Sequence, residues 1–238
     1  MKLYTFVTLA LFSLFTFVPN QKNNNELKTS QPRNYAMNSF SERVAVIYNS
    51  LDANNFKLPK IESFSRALEG YYLLKEKGKI TNDYLTIVDF SLSSKSKRMW
   101  VIDMNENKII FNSLVAHGKN SGNDFANNFS NKNESNKSCL GFFATGEVYQ
   151  GKHGLSLKLD GLEKGVNDNA RERSIVMHGA DYVSEKFIKI HNRLGKSQGC
   201  PALPLELSKK IIQTIKDKSC LFIYHPSKSD LESSKLVS

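Results

Sequence analysis

Trp100-Val-Ile-Asp-Met-Asn-Glu-Asn-Lys-Ile-Ile-Phe-Asn-Ser-Leu-Val-Ala116 is the stretch that decides the fold class. Trp100, Ile102 and Met104 alternate, Asn105-Glu-Asn107 has turn composition, and an apolar segment returns from Ile109 to Ala116. A period of two on both sides of a short polar turn predicts a β-hairpin. Upstream, Leu85–Phe90 reads as a strand, and further strands are predicted at Gly141–Val148, Leu155–Leu159, Ser174–His178 and Cys220–Tyr224. Two helices fit between the last two, Val183–His191 and Leu205–Asp217 following Pro204. Before Tyr84 the period is helical. Ser39-Phe-Ser-Glu42 has the form of a capping box, followed by Val44, Ile47, Tyr48 and Leu51. Pro59 opens a second helix with Ile61, Phe64, Ala67, Leu68, Tyr71 and Leu74 on one face and Gly78 as its stop. The expectation is a mainly β domain over residues 84–225, with a few packed helices and a small N-terminal helical preface over 39–80.

The flanks are different in character. Lys2 precedes a charge-free apolar run from Leu3 to Val18, the layout of an export signal. The run is shorter than the ~20 residues of a membrane-spanning helix, and it ends without a small-x-small cleavage site, so residues 1–20 read as a signal peptide or an N-terminal anchor. Any membrane association would then run through this segment. Residues 21–38 are polar and form a tether; residues 226–238 form a polar tail. The chain of 238 residues carries a net charge of +10. Such an excess favours anionic partners. Lys and Arg never run longer than two, which argues against nucleic acid and leaves a membrane surface or an acidic polymer.

Export bears on the three cysteines, Cys139, Cys200 and Cys220. An odd number in an oxidising compartment leaves at least one thiol outside any intrachain disulfide. Cys220 lies in an apolar run and reads as a core residue, and a Cys139–Cys220 disulfide stays open. Cys200 sits in Ser197-Gln-Gly-Cys-Pro201, and His178 ends the apolar run Ser174-Ile-Val-Met-His178. An imidazole beside a thiol supplies what a cysteine nucleophile needs near neutral pH. Gly199 would let the backbone turn so that the amides of Gly199 and Cys200 face a developing oxyanion, and Gly179 would let another backbone approach the histidine. A core histidine beside a buried cysteine accounts for the spacing equally well. A zinc site is disfavoured, because the paired Cys or His spacing is missing.

The same residues resemble a known family. Ser197-Gln-Gly-Cys200 with His178-Gly179 upstream is similar to the active-site signature of the L,D-transpeptidase catalytic domain, in which His-Gly is followed by Ser-x-Gly-Cys, commonly with His as x. The resemblance is closest to the murein L,D-transpeptidase branch. It extends through Leu85-Thr-Ile-Val-Asp-Phe90, Leu114-Val-Ala-His-Gly-Lys119, Lys152-His-Gly154, Asn169-Ala-Arg-Glu-Arg173 and His178-Gly-Ala-Asp-Tyr-Val183, and covers residues 40–225. It implies a β-sandwich or barrel-like domain, Cys200 as nucleophile, His178 as base oriented by a backbone carbonyl such as that of Gly179, peptidoglycan stem peptides as substrate, carbapenems as acylating inhibitors, and no cofactor. Ser197, Tyr149, His153 and Arg173 are the candidates for substrate contact, and Arg171 shares with Arg173 the choice between binding a carboxylate and pairing with acids such as Glu172. Two positions depart from the family pattern. Gln198 stands where His is common, and Ala202 where Arg or Asn often follows the cysteine. Hydrolysis by an L,D-carboxypeptidase and non-catalytic peptidoglycan binding are the alternatives.

Overall fold

The computed structural model describes residues 39–228. The predicted export segment and tether, and the tail beyond Lys228, lie outside the described residues. The elements in chain order are α1 Phe40–Asn49, α2 Ile61–Glu76, β1 Tyr84–Asp89, β2 Met99–Asp103, β3 Lys108–Ser113, β4 Gly141–Gly151, β5 Gly154–Gly161, β6 Val176–Ala180, α3 Glu185–His191, β7 Ala202–Pro204, α4 Leu205–Ile215 and β8 Cys220–Tyr224. The strands form one sheet in the order β3-β2-β1-β8-β4-β5-β6-β7. β1–β8 and β6–β7 are parallel pairs, and the rest are antiparallel.

The predicted hairpin is β2–β3. Its register shifts between Val101 and Ile102, where Ile110 is the extra residue of a bulge that bends the strand. β3 ends at Ser113, short of Ala116, because the chain peels away to the far edge of the sheet. There Ala116 bridges Ala202 of β7, its amide donating to the Ala202 carbonyl at 2.9 Å, and Gly118 bridges Ser197. The two ends of the strand order therefore meet, and the sheet curls into a barrel-like form. This is the mainly β architecture expected from the sequence.

Both faces of the central strands are covered, which explains why Leu85–Phe90 reads as a continuous apolar run rather than an alternation. Val88, Val101, Phe143, Leu157, Met177 and Leu203 pack on one side, against Ile211, Ile212 and Ile215 of α4. On the other, Leu85, Ile87, Trp100, Phe142 and Phe222 meet Phe64, Leu68, Tyr71 and Leu74 of α2. Ser39 caps α1, its Oγ accepting from the Glu42 amide at 3.3 Å. α2 begins at Ile61, two residues beyond Pro59, and Ile61 is exposed, unlike the rest of the predicted face. Past Gly78, the Lys79 amide returns to the Leu74 carbonyl (2.9 Å) and closes the helix.

β7 has only three residues and contains a proline, too short for any periodicity to reveal. β6 runs on to Ala180, so His178 lies in mid-strand rather than at the strand end expected for it.

Arg98, just before β2, is fully buried. Its guanidinium donates to the Val115 carbonyl through Nε (3.2 Å) and Nη2 (2.9 Å), to the Leu92 carbonyl (2.8 Å) and to His117 Nδ1 (2.8 Å), with Phe90 beneath it at 4.8 Å. Burial and the Arg98 charge push the His117 pKa down to about 4. The ring is therefore neutral, accepting at Nδ1 and donating from Nε2 to the Gly122 carbonyl at 3.3 Å. Arg98 thus pins the segment that bridges the two ends of the sheet. Removing it strands several buried acceptors, each at about 1–3 kcal/mol. Arg98→Met should cost about 3 kcal/mol and lower the melting temperature by roughly 6–12 °C; an unchanged melt would show that Arg98 does not hold the closure.

Candidate active site

The site is built on β6 and the turn that enters β7. In their parallel register His178 lies opposite Ala202. Counting back two residues on each strand puts Cys200 level with Val176, whose amide hydrogen-bonds the sulfur. On the other side of β6, His178 faces Ser156 of β5, and Ser156 faces Tyr149 of β4. Directly opposed residues share a sheet face, so Tyr149, Ser156 and His178 form one row. That face opens into a cavity of about 550 Å³.

Cys200, His178, Ser197, Tyr149, His153 and Arg173 all line this cavity. His178 is buried, and its Nδ1 donates to the Gly179 carbonyl at 2.9 Å. That bond assigns the proton to Nδ1 and leaves Nε2 with its lone pair. The Cys200 sulfur also contacts the Ser174 carbonyl at 3.7 Å. The His153 ring stacks on His178, centroids 4.4 Å apart and planes at 19°.

The turn 197–200 is held from inside. Ser197 Oγ donates to the Cys200 carbonyl (2.7 Å) and accepts from the Gly199 amide (3.0 Å). Ser138 Oγ donates to the Gly199 carbonyl (3.1 Å) and accepts from the Gly118 amide (3.0 Å). Gly199 has φ +129°, and a Cβ there would sit 2.9 Å from both Ile175 and the Lys137 carbonyl, so both conformation and space require glycine.

Several expected roles change. The Gly199 amide is engaged by Ser197, so it is not the oxyanion donor the sequence suggested. Gly179 faces α4, not a substrate: a Cβ there would meet Ser208 Oγ at 2.6 Å and Leu205 at 3.0 Å. Arg173 spends its guanidinium on the long loop, donating to the carbonyls of Ser130 (2.6 Å) and Lys137 (2.7 Å) and to Ser135 Oγ (3.2 Å). Arg171 takes the acid-pairing alternative, with Glu147 and Asp160 as its partners, while Glu172 accepts from Asn133. His117 is buried under Arg98 and does not line the cavity. The three cysteines are thiols rather than disulfides; Cys139 and Cys220 are buried in separate clusters.

Residues to which the sequence reading gave no role complete the lining. Lys119, Lys152 and Lys196 contribute positive charge against the single carboxylate of Glu134, and Tyr182 closes one wall. Lys119, Lys152 and Tyr182 stand in the stretches that carry the family resemblance, which is the signal that could have found them; nothing marks Lys196 or Glu134, and the folded loops bring all five together.

A model of the L,D-transpeptidase catalytic domain matches residues 57–224, from the α1–α2 connection to the end of β8. The chain belongs to the L,D-transpeptidase catalytic domain family. No curated protein is detectably similar to it. Among solved structures, an L,D-transpeptidase from Mycobacterium smegmatis is 9% identical, with 60% of this chain and 59% of that one aligned at a TM-score of 0.37. An L,D-transpeptidase from Stackebrandtia nassauensis is 13% identical over 79% and 67%, at 0.36. The helical cell shape determining protein Pgp2 from Campylobacter jejuni is 19% identical over 66% and 55%, at 0.36. Superpositions this loose support no functional conclusion. The chain spans about half the length of several solved chains it matches.

The electrostatics of this family member set the resting state of the two groups. Burial lowers the His178 pKa below the ordinary histidine value; the Gly179 bond opposes this, and His153 and Lys152 add to it. Burial raises the Cys200 pKa, only partly offset by the Val176 amide, Arg173 and Lys152. A base shifted down and a thiol shifted up, lining one cavity, both rest neutral rather than as thiolate and imidazolium. Iodoacetamide alkylation of Cys200 should therefore rise with pH through a midpoint above the ordinary thiol value of about 8.5, as read by intact mass. Fast alkylation persisting to about pH 5 would reveal a preformed ion pair and contradict this.

Proposed function

We propose that the chain is a cysteine-dependent peptidoglycan L,D-transpeptidase, with Cys200 as nucleophile and His178 as general base. The observation that carries this reading is that Cys200 and His178 line one cavity, within the span matched by the family model. The Nδ1 bond to Gly179 supports it further by leaving Nε2 ready to take a proton.

In this reading a stem peptide enters the cavity. Its reacting carbonyl joins the L-centre of the third residue to the terminal D-residue. His178 Nε2 takes the thiol proton as sulfur attacks. The oxyanion that forms is held by the amide of Cys200 itself, the Gly199 amide being engaged elsewhere. Collapse breaks the C–N bond, and the His178 proton goes to the departing D-amino acid nitrogen, leaving a thioester. An amine on a neighbouring stem attacks, His178 removes its proton, the C–S bond breaks and the thiol is restored. Water in place of the amine gives carboxypeptidase activity from the same intermediate. The substrate lies outside the cytoplasm, in keeping with the export reading of Leu3–Val18, and the basic lining suits an anionic wall.

The test is incubation with purified muropeptides and product identification by mass spectrometry. The wild-type protein should release the terminal D-residue and form cross-linked dimers, and Cys200→Ala should do neither while retaining its fold. A carbapenem should add to the wild-type protein and not to the Ala variant. Normal turnover by Cys200→Ala would end the assignment, and release of the D-residue without dimers would identify a hydrolase.

A further inference from the structure

We propose that His153, expected from sequence to touch substrate, is instead a positioning residue that holds the His178 ring in its working orientation. The proposal rests on Cys200 and His178 being the reacting pair.

Among the described residues the His178 ring has one hydrogen bond, from Nδ1 to the Gly179 carbonyl. That bond fixes the tautomer, but a single contact leaves the ring free to tilt about it. A catalytic imidazole usually has its plane set by something further. In this protein that second contact is an aromatic face. The His153 ring lies nearly parallel to His178, 4.4 Å between centroids, the geometry of a stacked pair.

The hairpin β4–β5 delivers it there. Gly151 pairs with Gly154, leaving Lys152 and His153 as the two residues of the turn. Gly154 takes the positive φ, +78°, so neither Lys152 nor His153 has to. Ser156 Oγ donates to the Gly154 carbonyl at 3.1 Å and braces the turn from within. Ser156 also stands between Tyr149 and His178 in the row across the sheet. A small side chain at that position leaves space for the turn to fold its ring onto His178. His153 itself is exposed, whereas His178 is buried. An exposed residue at a turn tip that covers a buried imidazole is placed to orient that imidazole and shield one face of it from water.

The arrangement also bears on the family signature. The imidazole common before Gly-Cys is absent here, with Gln198 in its place. The β4–β5 turn brings a second imidazole to the site from a different part of the chain. The other charged and titratable groups around His178 are Lys152 beside His153, Arg173 ahead of β6, Tyr182 after it and Cys200 ahead of β7; Lys196 lines the cavity beyond them. Of these, His153 and Lys152 act on His178 to keep it neutral, the form a base needs.

The test compares His153→Ala with His153→Phe, which keeps a ring and removes the titratable imidazole. Both lie at an exposed turn, where substitution changes stability little. In proton NMR the His178 Cε1–H should keep its ring-current shift in the Phe variant and lose it in the Ala variant. Its titration should move to higher pH in the Phe variant, because the neighbouring imidazole that lowers it has gone. On muropeptides, His153→Ala should lower kcat by roughly tenfold to a hundredfold, the effect of a displaced catalytic group, with KM changed by less than about twofold. His153→Phe should recover most of that loss. A rise in KM alone would make His153 a substrate contact and overturn the proposal. So would an unshifted His178 resonance in the Ala variant. Should the wild-type protein fail on muropeptides, the proposed function falls, while the NMR comparison still decides whether His153 orients His178.

Discussion

The parallel pairing of β6 with β7 is the constraint on which the site depends. It sets His178 opposite Ala202 and so fixes, two residues earlier, where Cys200 must stand. A strand of three residues cannot hold that register by itself. Ala116 bridges Ala202 from the other side, and Ser197 is held through the carbonyl of His117 at 3.0 Å. The segment that does this is in turn anchored by the buried Arg98. The chain of dependence therefore runs from one buried cation, through the closure of the sheet, to the position of a thiol.

Burying an arginine without a directly bonded carboxylate is costly. Here the cost is met by carbonyl acceptors, a neutral imidazole and an aromatic face; burial lowers the pKa, Asp124 and Asp89 partly offset this, and the balance stands at about 9. The same logic governs the reacting pair. Burial disfavours charge on both His178 and Cys200, so both groups rest neutral, and in the proposed reaction charge would separate only as the sulfur attacks. Such a thiol is less exposed to oxidation than a standing thiolate, a property suited to a protein read as exported.

Much of this was legible in the residues. The β2–β3 hairpin announced itself through Trp100, Ile102 and Met104, and the helix starts through Ser39 and Pro204. His178 and Cys200 stood out by residue type and by resemblance to a family signature. What stayed hidden has physical reasons. β7 is too short to show a period. His178 falls in mid-strand because Gly179 and Ala180, which follow the apolar run, are small for another purpose: α4 packs on Gly179, and Ala180 packs with Ala116 and Ala202. Arg173 reads as binding a carboxylate or pairing with an acid, and only the fold reveals that the carbonyls of Ser130 and Lys137 have claimed its guanidinium. The stack of His153 on His178 joins residues 25 apart through a hairpin register that no local pattern encodes.

The central claim is that Cys200 carries the acyl group. It is tested most directly by acid-quenching the protein within milliseconds to seconds of mixing with a tetrapeptide stem, then measuring intact mass and mapping the modified peptide. The account predicts a transient adduct equal to the donor less its terminal D-residue, located on Cys200. An adduct on another residue, or cross-linked product formed with no protein adduct at any time, would contradict it.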